Sequence, residues 1–337
     1  MVLLIKLFHG GFQKMEKAYH FILLLFISLL LVSCSTKTVK SDKDSDQISY
    51  DFSQDNQTFQ IIPLYEEVLD YTNFIKKSPS MNNKQEYNKK VVIPFQNKAS
   101  KENVDIQSGY FDYFSPTNDT KKLAEDTKKL LQQQKQINAI IKRALIKSSE
   151  QFPGTDKTIF IMPNNPESNI AIQEMQGVAG WTLSQNVILL QISPSYSEES
   201  LKYLIAHEYH HTKFLESASN LNISLIEKFI FEGKADNFAS IIYPEHTTPW
   251  TKPLSEVDLN HVLGQLHVNK GSLDPSLYNE FFDGNAMKNI PKWSNYKVGF
   301  QMTKSYLEKH PHLSIEEWTK LNAEQIVQGS KYHNIYK

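Results

Sequence analysis

The chain has 337 residues, of which 36 are Lys or Arg and 37 are Asp or Glu, giving a formal net charge of −1. This balance, with lysines scattered along the chain, disfavours nucleic acid as a partner, because proteins that bind it present a concentrated basic surface. The single cysteine, Cys34, excludes an intrachain disulfide, so any metal site must be built from histidine and carboxylate side chains.

The amino-terminal segment has the pattern of an exported protein. Residues 21–32 form an apolar run that is short for a membrane span but typical of a signal-peptide core, and Lys14 and Lys17 precede it. The run ends at Cys34 in a sequence that resembles the bacterial lipoprotein processing site, where the cysteine is lipidated. The alternative is a plain secretory signal with an incidental cysteine.

We therefore predict a lipoprotein signal peptide over residues 1–34, with translation starting at Met1 or at Met15. Lipid on Cys34 would anchor the protein to the cell membrane on its extracytoplasmic face. Residues 35–60 are rich in Ser, Lys, Asp and Gln, and their composition predicts a flexible tether.

The residues after the tether are long enough to bury a sizeable core. Residues 61–150 are predicted to be mainly helical, with helices over 65–77 and 118–149, where apolar residues recur at helical spacing. Residues 151–337 are predicted to form the part that carries the chemistry.

Two apolar runs at residues 158–162 and 187–192 predict buried or half-buried strands. Gly177 and Gly180 are expected to bracket a turn between them. Together with the helices, these elements predict an α+β fold, in which a small, mostly antiparallel sheet packs on a metal-binding helix and further helices surround it.

The most informative residues are His207, Glu208 and His211, which form an H-E-x-x-H pattern. Residues four apart lie on one face of a helix, so the two imidazoles can bind one ion, and the adjacent Glu can act as general base on the bound water. The competing interpretation is an amphipathic helix in which His and Glu recur by chance. Ser195 and Glu198 predict a capping box at the start of this helix.

A third ligand is expected on the next predicted helix, where Glu232 and Asp236 share one face and Ser224 is the predicted cap. Glu232 would bind the ion, while Asp236 would accept the free N–H of a ligand histidine. Gly233, which has no side chain, would let the two helices approach closely. The alternative for both acidic residues is a solvated helix face.

The order of strand, metal helix and second helix with E-x-x-x-D resembles the thermolysin-like metallopeptidases, the gluzincins. That resemblance implies that the strand at 187–192 forms the edge on which a peptide substrate lies. The segments at 205–211, 231–236 and 293–300 are more closely similar to the YjaZ-like family of predicted Zn-dependent proteases, over residues 120–335. Lys234 departs from the apolar residue expected at its position.

Thermolysin-like enzymes stabilise the oxyanion of the transition state with a Tyr or His that follows the metal ligands. The resemblance favours Tyr296 for this role, although a tyrosine packed in the core would look the same in the sequence. The other candidates are His246, His261 and His267. His210 points about 100° away from the ligand face, which predicts a surface position or a contact behind the ligands.

The sequence thus predicts a lipid-anchored extracytoplasmic zinc peptidase that binds one Zn²⁺ per chain, hydrolyses a peptide or protein substrate and contacts the membrane through its amino-terminal lipid. Two alternatives remain open. The first is a surface lipoprotein that holds zinc and binds peptide or protein partners without catalysis, although such a site would not need Glu208. The second is an adhesion or assembly module in which the motif is accidental.

Overall fold

The computed structural model describes residues 49–102, 114–217 and 223–336. The predicted signal peptide, the lipidation site at Cys34 and most of the predicted tether lie outside these residues. The described residues form one compact unit, so the predicted parts 61–150 and 151–337 share one core. No helix within the described ranges is both long enough and apolar enough to cross a membrane.

The tether prediction is wrong from residue 50 onward, because this part of the chain forms a hairpin. Strands β1 (Tyr50–Gln54) and β2 (Gln57–Pro63) pair antiparallel. The rings of Phe52 and Phe59 stack across the pair with centroids 4.9 Å apart, and Asp55 makes the turn with a φ of 51°. The polar residues that dominate the composition alternate with apolar ones, which is the pattern of a half-buried strand.

The sheet has five strands in the order β1-β2-β3-β5-β4. Its other members are β3 (Lys157–Pro163), β4 (Val178–Thr182) and β5 (Val187–Ile192). Strands β2, β3 and β5 are parallel to one another, while β1 and β4 are antiparallel to their neighbours. The α+β class is confirmed, but the sheet is mixed rather than mostly antiparallel, because the two parallel pairings occupy its centre.

The edge strand next to the metal helix is β4 and not the strand at 187–192, as the resemblance implied. Every residue of β5 is buried, and such a continuous apolar run suits a strand covered on both faces. Among the residues that the structure describes, strand β4 pairs only with β5, on one side. The predicted turn is half right: Gly177 adopts a φ of 84°, but Gly180 lies within β4.

Eleven α-helices accompany the sheet in the described ranges. They are α1 (Tyr65–Lys77), α2 (Asn83–Tyr87), α3 (Ile93–Ala99), α4 (Thr120–Gln151), α5 (Glu198–Ser217), α6 (Leu225–Ile242), α7 (Glu256–Asn269), α8 (Pro275–Asp283), α9 (Ser294–Lys309), α10 (Ile315–Lys320) and α11 (Ala323–Gly329). The predicted helices over 65–77 and 118–149 correspond to α1 and α4.

The helices bury three apolar clusters. One cluster joins one face of β3 and β5 to α4, α5 and α6, and the second joins the opposite face to α1 and α3. The third lies away from the sheet, among α6, α7, α8, α9 and α11. Helix α6 contributes to the first and third clusters, so it connects the sheet layer to the helical layer.

Helix caps fix where the two site helices begin. Ser197 Oγ accepts from the backbone N–H of Ser200 at 3.2 Å and caps α5, so the predicted capping box at Ser195 is wrong by two residues. Ser224 caps α6 as predicted, because the Glu227 carboxylate accepts from the Ser224 backbone N–H at 2.7 Å.

Helices α6 and α9 approach at two glycines. A Cβ added to Gly233 would lie 2.1 Å from the carbonyl oxygen of Gly299, and one added to Gly299 would lie 1.9 Å from that of Phe229. Asn237 reinforces the contact by donating to the Phe300 carbonyl at 3.0 Å. Gly233 therefore permits close approach to α9, rather than to α5 as expected from the sequence.

Because backbone atoms surround the missing side chain, Gly299→Ala must push α6 and α9 apart. We expect it to lower the free energy of unfolding by about 2 kcal/mol or more. The matched control is Gly264→Ala in α7, where nothing lies within 4 Å of the added Cβ, and there we expect a gain of roughly 0.5–1 kcal/mol. Urea unfolding of both variants tests this, and equal effects would contradict the close contact.

Candidate metal centre and substrate cleft

The three predicted ligands converge in a buried space between α5 and α6. The Nε2 atoms of His207 and His211 lie 3.0 Å apart, and Glu232 Oε2 lies 3.2 Å from each of them. Both histidines are buried and the Glu232 side chain is 13% exposed. The i, i+4 spacing on α5 sets the two rings side by side, and the first half of α6 brings the carboxylate between them.

The donor set fits a zinc ion. Tetrahedral zinc with bonds of about 2.0–2.1 Å separates its ligand atoms by roughly 3.3 Å, close to the distances observed here. With Asp236 as the acceptor of His207 Nδ1–H, His207 Nε2 is itself an acceptor, and a single proton on His211 Nε2 would have to serve both this nitrogen and Glu232 Oε2. A cation bound by both lone pairs and by the carboxylate satisfies all three groups.

The carboxylates around the cluster favour positive charge. Burial would raise the pKa of Glu232, but the charges and hydrogen bonds of His211 and His207 hold it well below its usual value. Burial would lower the pKa of His207, but Asp236 and Glu232 raise it well above the ordinary value. The surroundings therefore stabilise a cation at this place.

Asp236 orients His207 from behind, as the sequence predicted. Its fully buried carboxylate oxygen Oδ1 lies 3.1 Å from His207 Nδ1. The same oxygen accepts from Tyr203 Oη at 3.1 Å and from Trp250 Nε1 at 3.2 Å. Neither partner is among the site residues predicted from the sequence. Tyr203 lies four residues before His207 and was detectable from helical spacing, whereas Trp250 comes from a loop with no local signal.

Glu208 faces the edge strand. Thr182 Oγ1 lies 2.8 Å from Glu208 Oε2 and 2.9 Å from the Glu208 carbonyl, so its hydroxyl can donate to the carboxylate. A Cβ on Gly180 would lie 3.0 Å from Glu208 Cγ, which shows how closely β4 passes over this side chain. The contacts from β4 hold the carboxylate next to the metal cluster.

Two tyrosines stand on the open side of the cluster. The Tyr296 ring lies nearly parallel to that of His207, with centroids 6.3 Å apart. Tyr278, which is not among the residues predicted from the sequence, donates to Glu232 Oε1 at 3.2 Å. Burial, followed by the charge of Glu232, raises the pKa of both tyrosines well above the ordinary value. Both hydroxyls therefore remain protonated and can donate hydrogen bonds at neutral pH.

The other histidine candidates lie in different places. His246 borders a small cavity beside the cluster, whereas His261 and His267 donate to the carbonyls of Lys288 and Ile335 and border neither space at the cluster. Of the four candidates for the oxyanion role, only Tyr296 and His246 are near the metal cluster.

His210 and Lys234 have structural positions behind the site. His210 is fully buried rather than on the surface: its ring stacks on Trp318, and Nε2 lies 3.0 Å from Thr319 Oγ1. Lys234, where an apolar residue was expected, donates to the carbonyls of Thr319 and Leu321. Burial lowers its pKa to about 7. Both side chains fasten the end of α10 to the site helices.

Two spaces open from the cluster. The large cleft has a volume of about 510 Å³ and is bordered by His207, Glu208, His211 and Glu232. The small cavity has a volume of about 60 Å³ and is bordered by His207 and Glu208 but by neither of the other two ligands. Gly180, Phe282 and Tyr296 border both.

Removing the support behind His207 should weaken metal binding. We expect the parent protein to bind one zinc ion per chain, and Asp236→Asn to bind it about 10- to 100-fold more weakly, because a neutral amide is a weaker acceptor for His207 Nδ1–H and removes the negative charge behind the ligand. Asp126→Asn is the matched control, since Asp126 is also buried but pairs with Lys122 on α4. Competition with a chelator measures both, and equal affinity in all three proteins would contradict the role of Asp236.

No curated protein and no solved structure matches the chain. A family model described as "Predicted Zn-dependent protease (DUF2268)" matches residues 137–328, more than half of the chain. The matched segment contains the metal cluster, Glu208, Asp236 and Tyr296, together with strands β3, β4 and β5. In agreement with the resemblance noted from its motifs, the chain belongs to the DUF2268 family of predicted Zn-dependent proteases.

Proposed function

We propose that the protein is a lipid-anchored, extracytoplasmic zinc peptidase that hydrolyses peptide bonds with a water molecule activated by Glu208. The observation that carries this proposal is the position of Glu208. Its carboxylate lies beside two histidines and a glutamate suited to zinc, and Glu208 also borders an open cleft along the edge strand β4. The family description supports the same chemistry.

Each residue at the cluster has a distinct part in the proposed reaction. His207, His211 and Glu232 would hold the ion, and zinc, when bound, would polarise the water and the substrate carbonyl. Glu208 accepts a proton from the water and delivers it to the leaving nitrogen. Thr182 fixes the direction of the Glu208 carboxylate through its hydroxyl, and Asp236 fixes the tautomer of His207.

Tyr296 is the donor that we assign to the developing oxyanion. Its protonated hydroxyl belongs to a residue that borders both spaces beside the cluster, where the attacked carbonyl would lie. A hydrogen bond that strengthens as negative charge develops lowers the barrier more than it tightens substrate binding. We do not assign this role to Tyr278, because its hydroxyl donates to the ligand Glu232.

The free side of β4 offers backbone groups to a peptide. Leu183 N–H bonds the Val187 carbonyl, and Ser193 N–H bonds the Gly177 carbonyl. Because antiparallel pairing alternates along a strand, the even-numbered residues Val178, Gly180 and Thr182 direct their backbone N–H and C=O groups away from β5. The N–H of Val178 is bonded to the Met175 carbonyl at 3.4 Å, so Gly180 and Thr182 are the residues whose N–H and C=O groups we assign to the substrate. A substrate can add to this edge as a sixth strand, with its main chain held by hydrogen bonds.

The location is proposed from the amino-terminal pattern alone. The apolar run at 21–32 and Cys34 support export followed by lipid attachment. The substrate would then be a peptide or protein outside the cytoplasm. A non-catalytic lipoprotein that holds zinc and binds peptide would use the same ligands and the same strand edge, so activity measurements must separate the two functions.

Glu208→Gln separates catalysis from metal binding. The amide keeps the size of the side chain but cannot accept the proton, so we expect hydrolysis to fall by about 10²–10⁴-fold while zinc content stays at the parent value. Glu199→Gln, an exposed position in the first turn of the same helix, is the control and should keep full activity. Full hydrolysis by Glu208→Gln would refute the mechanism. A zinc-loaded parent that binds peptides without cleaving them would favour the non-catalytic lipoprotein.

Tyr296→Phe tests the oxyanion donor. Loss of one such donor reduces kcat by about 10²–10³-fold, and we expect KM and zinc content to change little. His246→Ala is the comparison, because His246 borders only the small cavity. Steady-state kinetics on one peptide would give both constants, and a larger loss of kcat in the His246 variant would transfer the role to that residue.

A further inference from the structure

The two spaces beside the metal cluster differ in size along the direction of β4. The large cleft borders the Thr182 end of the strand, whereas the small cavity borders the Val178 end. If one water-sized group needs about 15 Å³, the small cavity of about 60 Å³ has room for roughly four such groups, about one branched aliphatic side chain. The large cleft of about 510 Å³ has room for several residues.

The position of Glu208 assigns a direction to the substrate. In hydrolysis the water oxygen adds to the carbonyl carbon, the C–N bond breaks, and Glu208 passes the proton taken from water to the leaving amine. Of the four residues at the cluster, His211 and Glu232 border only the large cleft, whereas His207 and the proton-carrying Glu208 also border the small cavity. The leaving amine therefore belongs on the small-cavity side, and the acyl part belongs in the large cleft.

The small cavity is enclosed by side chains from three parts of the chain. Trp250 and Trp293 meet edge to face with ring centroids 5.6 Å apart. Trp250 is held by its N–H bond to Asp236, and Trp293 has a left-handed backbone with a φ of 58°. Because a bulky residue rarely adopts that conformation, the fold fixes Trp293 in place against local preference. Met175, Val178 and Leu204 add apolar surface.

An ion pair joins the two walls of this cavity. Lys292 Nζ lies 2.7 and 2.9 Å from the carboxylate oxygens of Glu174. Glu174 immediately precedes the lining residue Met175, and Lys292 immediately precedes the lining residue Trp293. The pair therefore connects the segment before β4 to the segment before α9, each next to a residue that lines the cavity.

We propose, on the basis of the peptidase function above, that the enzyme cleaves close to the carboxyl end of a peptide, releasing one or two residues of which the first is apolar. The first residue after the cleaved bond occupies the small cavity. The Glu174–Lys292 pair stands in the way of a longer chain on that side. The residues before the bond lie along β4 in the large cleft, antiparallel to the strand.

A peptide series of increasing length tests this inference on the zinc-loaded full-length protein. All peptides carry the same acetylated segment before the bond and a leucine after it, and one, two, four or eight residues follow the bond. We expect the rate of cleavage at that bond to fall by about tenfold or more from the shortest to the longest peptide, because the longer chains displace the bond from its productive position. Mass spectrometry identifies the products, and replacing the leucine with aspartate should slow cleavage of the shortest peptide.

Two variants examine the ion pair. Lys292→Gln and Glu174→Gln should each flatten the dependence of rate on length while leaving zinc content unchanged. Lys98→Gln, which removes the pair with Glu67 between α3 and α1, is the matched control and should keep the parent dependence of rate on length.

Equal rates for all lengths in the parent would overturn the proposal and leave the peptidase function intact. A steep dependence that persists in both ion-pair variants would overturn the part assigned to the pair. The absence of any hydrolysis by the zinc-loaded protein would overturn both proposals.

Discussion

The structure depends on the burial of a charged cluster between α5 and α6. Three carboxylates, those of Glu208, Glu232 and Asp236, lie with two imidazoles where little water reaches them. Burying such groups without partners costs several kcal/mol each, so the fold must surround them with donors or with a cation. Hydroxyl and indole groups from α5, β4, α8 and the loop after α6 supply the donors, and the geometry of the histidines leaves room for the cation to supply the rest. The need to satisfy these buried groups explains why so many separate elements contribute a side chain to the cluster.

Helix α6 connects the buried cluster to the rest of the molecule, because it contacts other helices on several sides. One side faces α5 with the acidic ligand and its neighbour, and another meets α9 through the pair Gly233 and Gly299. A third side carries Lys234 to the end of α10. A helix that is apolar or contacts other elements on all sides is buried rather than amphipathic. Helices α9 and α10 therefore make direct contact with the helix that carries Glu232 and Asp236.

The parts of the site that follow helical spacing were predictable from the sequence, and the parts that depend on tertiary contacts were not. His207 and His211 four residues apart, and Glu232 with Asp236 four apart, follow local geometry alone. Thr182 reaches Glu208 only because β4 lies beside α5, which no local pattern reports. The strand order shows the same limit: the run at 187–192 is a strand as expected, but its position inside the sheet is decided by pairing with β3. The hairpin at 50–63 was misread because polar composition over a long window hid an alternating pattern within it.

The hairpin also determines at which edge of the sheet the described residues begin. Strand β1 is the edge opposite to β4, with three strands between them. At about 4.8 Å per strand, the two edges lie roughly 19 Å apart. The described chain therefore enters the sheet at Tyr50, on the edge away from Gly180 and Thr182, the β4 residues that contact Glu208. A force applied to the chain at Tyr50 would act first on β1, which is separated from β4 by three strands.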